Sequence, residues 1–298
     1  MKLNFIIIGA QKSGSTFVQE ILSEHPEVFM VPKETPFFED PDYGKMDFQE
    51  FEKLFAEVTT EKAVGMKRPG YYGKFEVPER LYQHFPNIKL ILVLRNPIER
   101  SISAYYHYMK DGFIPVKNIE EGMVKIINGE YKNTYKRANE IIEFSFYYKH
   151  IMHYLNYFNI NQIHITLFDN LKKDTSAEIS SIFKFLEIDP NYKPKYLDKR
   201  PQSGVYSLHS IKFFRLKNHF VYTYNQDHTR VFSKKSNIWE KFIAKIIMLL
   251  YSKFISKLFD QQKPQLTPLL KLKILELYKN DIDCLSKLIG KNLENWKK

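Results

Sequence analysis

The sequence predicts an α/β fold, a three-layer sandwich with a central parallel sheet flanked by helices. Three observations carry that expectation. The apolar run Leu3–Ile8 opens directly into a glycine-containing loop and then into an amphipathic pattern. A second run, Ile88–Leu94 (Ile-Lys-Leu-Ile-Leu-Val-Leu), is apolar enough for a strand buried on both faces. Around them, strand-like and helix-like stretches alternate, the order that buries a parallel sheet under two layers of helices.

Residues 9–16, Gly-Ala-Gln-Lys-Ser-Gly-Ser-Thr, follow the first strand, and Phe17, Val18, Ile21 and Leu22 have the spacing of a buried helix face. The segment is therefore P-loop-like: strand, loop, helix. A nucleoside-triphosphate loop reads G-x-x-x-x-G-K-[ST]. Gly9, Gly14 and Thr16 keep that frame, but Ser15 occupies the lysine position and Lys12 sits inside the loop. Backbone N–H groups and a helix N-terminus still converge on an anion. A lysine at the mouth reaches a bridging oxygen or leaving group instead of β- and γ-phosphates, which argues against ATP. Taken alone, the segment would also suit a plain strand-to-helix turn capped by Ser15 or Thr16.

Farther along, Phe48–Glu57 and Pro78–Phe85 have helical spacing, and Ala63–Lys67 reads as a strand. The strand Ile88–Leu94 ends in Arg95-Asn96-Pro97. Pro97 fits a first helical turn, and a helix follows through Ser101, Ser103 and Tyr105. Arg95 thus stands at the carboxyl end of a strand, where open α/β sheets bind ligands. A kinase or GTPase would be expected to place a metal-binding aspartate on such a strand. Arginine instead offers a planar fork suited to phosphate. Two anion sites on neighbouring strand ends imply a nucleotide phosphorylated at both ends.

Ile119–Asn128, Glu140–Phe158 and Ser176–Leu186 read as helices, and Gln162–Phe168 as a further parallel strand. Asp189–Gly204, with Pro190, Pro194 and Pro201, reads as loop. Trp239–Phe259 carries a broad apolar stripe with Lys241, Lys245, Lys253 and Lys257 near the other side. Four lysines argue against a bilayer crossing. The stretch is expected to pack as an amphipathic helix, with peripheral contact at a membrane interface as the alternative.

A chain of 298 residues buries one sizeable core, so a single domain over 1–298 is expected, with a helical C-terminal portion from about 205. Lys+Arg 45 against Asp+Glu 34 gives a net charge of +11 and a pI near 9.3. That suits a doubly phosphorylated nucleotide and an anionic acceptor, and equally nucleic acid or a membrane; charge alone does not choose. The single cysteine, Cys284, excludes an intramolecular disulfide and any multi-cysteine zinc site. Its helical neighbours Leu277, Ile282, Leu285 and Leu288 suggest a buried structural thiol. A core strand starting at Leu3 leaves no room for a signal peptide or anchor helix, which points to a bacterial, cytoplasmic protein.

Several of these segments resemble sulfotransferases that use 3′-phosphoadenosine 5′-phosphosulfate (PAPS), most closely the heparan sulfate and other glycan sulfotransferases and their bacterial relatives. The matching pieces are Gln11-Lys12-Ser13-Gly14-Ser15-Thr16, similar to the 5′-phosphosulfate loop, and Leu94 through Tyr105, similar to the 3′-phosphate segment. Lys33-Glu34-Thr35-Pro36-Phe37-Phe38 resembles the K-E-x-x-F-F element, and Val64 through Tyr72 the G-E-K-S-P-x-Y segment. Phe183–Ile188 and Leu277–Trp296 extend the likeness over nearly the whole chain.

The resemblance implies that Gln11, Lys12, Ser13, Gly14, Ser15 and Thr16 hold the 5′-phosphate end of the donor, and that Arg95 and Ser103 hold the 3′-phosphate. Glu34 becomes the catalytic base, with Phe37 and Phe38 able to keep its surroundings dry. Lys12 would meet charge on the leaving oxygen, and Lys67 would support the reacting groups. Lys199 and Arg200, in a basic loop with Gly204, would close over the nucleotide. The product would be adenosine 3′,5′-bisphosphate, no metal would be needed, and the acceptor would be a hydroxyl or amine of a polysaccharide, oligosaccharide or glycolipid rather than nucleic acid. Pro36 stands where O-sulfating members often carry histidine, Glu39 where some carry aspartate, and Met66 and Arg68 flank Lys67 in place of an acid and a serine. These departures leave N- versus O-sulfation open. Two other classes remain: a P-loop kinase or nucleotide hydrolase, and a non-catalytic basic module binding nucleic acid or membrane.

Overall fold

The computed structural model describes residues 3–195, 197, 204–259 and 263–298, which fall into two compact units. The first comprises residues up to Asn96, Phe146–Pro201 and Asn280–Lys298; the second comprises Pro97–Ser145 and Gln202–Lys279.

A five-stranded parallel sheet forms the first unit: β1 (Phe5–Gly9), β2 (Val28–Met30), β3 (Ala63–Lys67), β4 (Lys89–Leu94) and β5 (Ile163–Leu167), in the order β2-β3-β1-β4-β5. The apolar runs form strands because both faces are covered. Phe5 and Ile7 of β1 and Ile91 and Val93 of β4 join a core with Phe17, Val18 and Ile21 of the first helix, Phe168, and Ile179, Ile182 and Phe183 of the Thr175–Leu186 helix. On β3, Gly65 leaves room for its cross-strand partner. It pairs with Phe5, and a Cβ there would lie 2.1 Å from the Phe5 ring.

Four of these strands and most helices lie where the sequence places them; β2 is an addition. The three residues Val28–Met30 give too short a pattern to read alone, and β2 exists because it pairs with β3 at the sheet edge.

The expected single helix Glu140–Phe158 is instead two, Glu140–Glu143 and Tyr147–Leu155. A continuous helix would bond Ser145 N–H to the Ile141 carbonyl. That carbonyl accepts from the buried Arg100 guanidinium instead, and Ser145 N–H turns to Ile142 at 3.0 Å. Arg100 Nε also donates to Ser145 Oγ at 2.6 Å, which pins the break within the second unit. In the first unit, Asp281 caps the resumed helix, accepting from Tyr148 and Lys149 N–H at 2.9 and 3.1 Å.

In the second unit the Leu208–Val221 helix closes the end of Pro97–Asp111. Arg215 donates to the Met109 and Ile114 carbonyls, and Asn218 to that of Lys110, serving acceptors that a helix C-terminus leaves open. A short hairpin, β6 (Tyr222–Tyr224) and β7 (Val231–Ser233), leads to the Ile238–Leu250 helix. That helix continues as a π-helical stretch, Tyr251–Ile255, and a last turn, Ser256–Leu258. The expected packing holds along one edge only: Ala244 and Ile247 are buried, while most of the apolar stripe is exposed. No helix among the described residues is long and apolar enough to cross a membrane.

Candidate active site

Because all five strands run parallel, every chain segment that leaves a carboxyl end arrives at one edge of the sheet. The order β2-β3-β1-β4-β5 puts a topological switch between β1 and β4, where such sheets bind ligands. The loop from β1 and Arg95 after β4 stand on its two sides.

The β1 loop turns sharply. Lys12 (φ 69°) and Gly14 (φ 103°) both take left-handed backbone, the alternation that points successive N–H groups inward. Gly14 also caps the eight-residue helix Ser15–Leu22 with no side-chain bond to its first N–H groups. A Cβ on Gly14 would lie 2.9 Å from the Phe168 ring. Ser13 and Ser15 are buried, and neither Ser13 Oγ nor Gln11 Oε1 has a hydrogen-bond partner among the described residues. A buried hydroxyl without a partner is costly unless a ligand completes it. The turn therefore fits an anionic group.

Register explains Arg95. Leu94 of β4 pairs with Leu167 of β5, so the next residues, Arg95 and Phe168, emerge side by side. The Arg95 guanidinium lies over the Phe168 ring at 4.9 Å and donates to the Lys12 carbonyl at 3.5 Å. Phe168 is the site residue that sequence reading missed: it looks like an ordinary core aromatic, and only the β4–β5 register shows what it carries.

Lys67 ends β3 beside Ile7, with its side chain only 6% exposed. Its Nζ donates to Thr16 Oγ1 at 2.9 Å and meets Glu34 Oε1 at 3.1 Å, linking the anion loop to the acid. Glu34 reaches this edge on the segment after β2. Its other oxygen accepts from Arg68 Nη1 at 3.3 Å. Arg68 is held in turn by the buried Glu39, through Nε at 2.7 Å and Nη2 at 3.0 Å. Burial pulls the Arg68 pKa down, but hydrogen bonding and charge contact with Glu39, and the charge of Glu34, outweigh it and leave the pKa above its ordinary value. Arg68, a departure in the sequence pattern, is thus a structural partner of the acid.

The surroundings of Glu34 differ from expectation. Phe37 and Phe38 pack on Phe51, at 4.5 and 5.5 Å between ring centroids, inside an aromatic cluster. Charge from Lys67 and Arg68, not aromatic cover, is what contacts Glu34. The helix from Pro97 places Ser103 buried in the second unit. Lys199 and Arg200 lie outside the described residues. Cys284 is half-buried rather than buried. Among the described residues no three His, Cys, Asp or Glu side chains gather as metal ligands.

The pattern of the sulfotransferase domain matches residues 3–242, and the chain belongs to that family. Human heparan sulfate glucosamine 3-O-sulfotransferase 5 is 30% identical over 207 residues, 68% of this chain and 58% of the relative. Human bifunctional heparan sulfate N-deacetylase/N-sulfotransferase 2 is 30% identical over 195 residues, 62% of this chain and 22% of that protein. The chain therefore spans little more than half of one relative and less of the other. The crystal structure of a sulfotransferase from Alicyclobacillus acidocaldarius shares the fold, with a TM-score of 0.70 over 100% of both chains at 20% identity.

Proposed function

We propose that this protein transfers a sulfuryl group from PAPS to a hydroxyl or amine of a carbohydrate. The observation that carries the reading is Lys67, which touches both Thr16 of the anion loop and Glu34. It sets an acid beside the place where the loop N–H groups converge, as a reaction between a bound anion and a second substrate requires. The curated relatives named for heparan sulfate support a glycan acceptor. Membership of the sulfotransferase family sets aside the kinase reading.

In this reading Gln11, Ser13, Gly14, Ser15 and Thr16 hold the 5′-phosphate end of the donor, and Arg95, levelled by Phe168, grips the 3′-phosphate. Glu34 takes the proton from the acceptor as its oxygen or nitrogen forms a bond to sulfur. The bond from sulfur to the bridging oxygen breaks, and the charge left on that phosphate oxygen falls to Lys12. Stabilisation of that kind is worth about 3 kcal/mol. Lys67 holds Glu34 against the loop while the proton moves.

Two measurements test this. Adenosine 3′,5′-bisphosphate is expected to raise the melting temperature more than AMP, and far more than ATP with magnesium. Equal stabilisation by AMP defeats the two-phosphate argument. Incubation with PAPS labelled in its sulfuryl group and a panel of glycans is expected to move label to at least one of them. Bisphosphate binding without transfer to any saccharide would separate a correct donor from a wrong acceptor class.

A further inference from the structure

The Ile238–Leu250 helix packs on Leu208–Val221 by a narrow edge. Ala244 and Ile247 are buried there, and Tyr251, just beyond, meets Phe214 edge-on at 4.9 Å. At about 100° per residue, the arc of about 140° from Ile238 round to Ile243, between that edge and Lys245, is apolar from end to end. On it Ile238 is 80% exposed, Trp239 71%, Phe242 55% and Leu249 47%. Soluble surfaces seldom gather so many large apolar side chains in one place, and a patch of this kind marks a contact.

The charges beside the arc indicate with what. Residues 241–259 contain Lys241, Lys245, Lys253 and Lys257 and no Asp or Glu. Lys241, Lys245 and Lys253 are exposed, and none forms an ion pair among the described residues. Elsewhere helical lysines do find acids, as Lys53 does with Glu50 and Lys125 with Glu121. A second copy of the chain docking through this face would bring lysines against lysines with no acid between them. An anionic bilayer answers both features, taking apolar side chains among its acyl chains and lysines at its headgroups.

We propose that the Ile238–Leu250 helix lies in the interfacial layer of an anionic lipid membrane, parallel to its surface, and docks the protein there. The inference stands apart from the donor chemistry, because no residue of the anion loop or of the Glu34 cluster takes part.

The full chain, mixed with phosphatidylglycerol–phosphatidylcholine vesicles and with pure phosphatidylcholine vesicles, tests it by flotation and tryptophan emission. The chain has two tryptophans, and Trp296 is only 1% exposed, so a change on vesicle addition reports Trp239. Expected are flotation with the anionic vesicles, a blue shift, and quenching of Trp239 by brominated lipid. Trp239→Phe should remove the shift. Lys241→Glu with Lys245→Glu should weaken anionic-vesicle binding by at least tenfold, since each lysine near such a surface is worth roughly fivefold. Phe242→Ser with Leu249→Ser should abolish flotation while the circular dichroism melt stays that of the parent. Failure to float with anionic vesicles, or flotation without brominated-lipid quenching in the unsubstituted chain, overturns the proposal. So does concentration-dependent self-association, in place of vesicle binding, that Phe242→Ser with Leu249→Ser removes.

Discussion

Glu34 stands between Lys67 and Arg68, whereas Glu39 is 1% exposed and grips Arg68 with both oxygens. The two acids should therefore fail in different ways. Glu34→Gln keeps shape and removes the proton acceptor, so turnover should fall by about 100-fold while affinity for adenosine 3′,5′-bisphosphate stays near the parent value. Lys12→Ala should damage both, because Lys12 lies in the anion loop and also meets the leaving charge. Labelled-donor kinetics and calorimetric binding on the two variants side by side separate these roles; a Glu34→Gln protein that stops binding the bisphosphate would make Glu34 a wall of the pocket. Arg68→Met takes two bonds from a buried carboxylate, which should cost about 3 kcal/mol in a urea melt. Adding Glu39→Met should restore most of it, since two apolar groups leave no buried charge behind. Glu34 was legible from its flanking motif. Lys67, half of its cation clamp, was legible from its own motif; Arg68 was not, because it reaches the acid from the segment just after β3, 34 residues away in the chain.

At the scale of the element, the anion loop, β4 and β5 act as one unit through Phe168. A side chain at Gly14 meets two penalties, left-handed backbone at φ 103° and a ring 2.9 Å from the new Cβ. Gly14→Ala should lose at least 1 kcal/mol of stability. It should also weaken bisphosphate binding, because the ring it displaces carries Arg95. Phe168→Leu separates the two effects: the core stays filled, the π face is lost, and affinity should fall about two- to fivefold, the size of a cation–π contact. Calorimetry with the bisphosphate and with AMP checks the assignment, since only the ligand with a 3′-phosphate should respond. The sequence located both segments. It could not show that one residue of helical register after β5 supports an arginine after β4. The broken Glu140–Phe158 stretch teaches the same lesson in reverse, for its periodicity was sound and a buried guanidinium from another helix took the carbonyl it needed.

For the whole molecule, acid should be the weak side of the stability curve, and one side chain accounts for part of it. His164 lies on β5 against Phe185 and Ser181. Burial, with the charge of Lys291 adding, pushes its pKa down to about 4 from 6.5. The unfolded chain takes up this proton as pH falls through 6.5, and the folded one only near 4. Between those values the unfolded state binds more protons, so stability present above pH 6.5 is lost towards pH 4. From pH 7 to pH 5 the loss from this group should be about 1–2 kcal/mol. Urea midpoints at both pH values should show a smaller decline for His164→Gln than for the parent; equal declines would clear the imidazole of responsibility.

The sequence by itself determined the parallel sheet, the anion loop and the arginine at the end of β4. Those features are local: an apolar run buried on both faces, a glycine that alone accepts its backbone angle, and a residue type placed one step past a strand. Only the tertiary structure decided which partners meet across the sheet edge. Lys67 joins Thr16 to Glu34, Glu39 locks Arg68, and Phe168 levels Arg95; the last follows from the β4–β5 register and the others from loops and a helix end gathered at the carboxyl ends of the strands, and all bring together residues far apart in the chain. The fate of the lysine-flanked helix was decided there too. Its stripe is wide, yet the Leu208–Val221 helix buries only a narrow edge of it, at Ala244 and Ile247, and most of the apolar remainder is exposed.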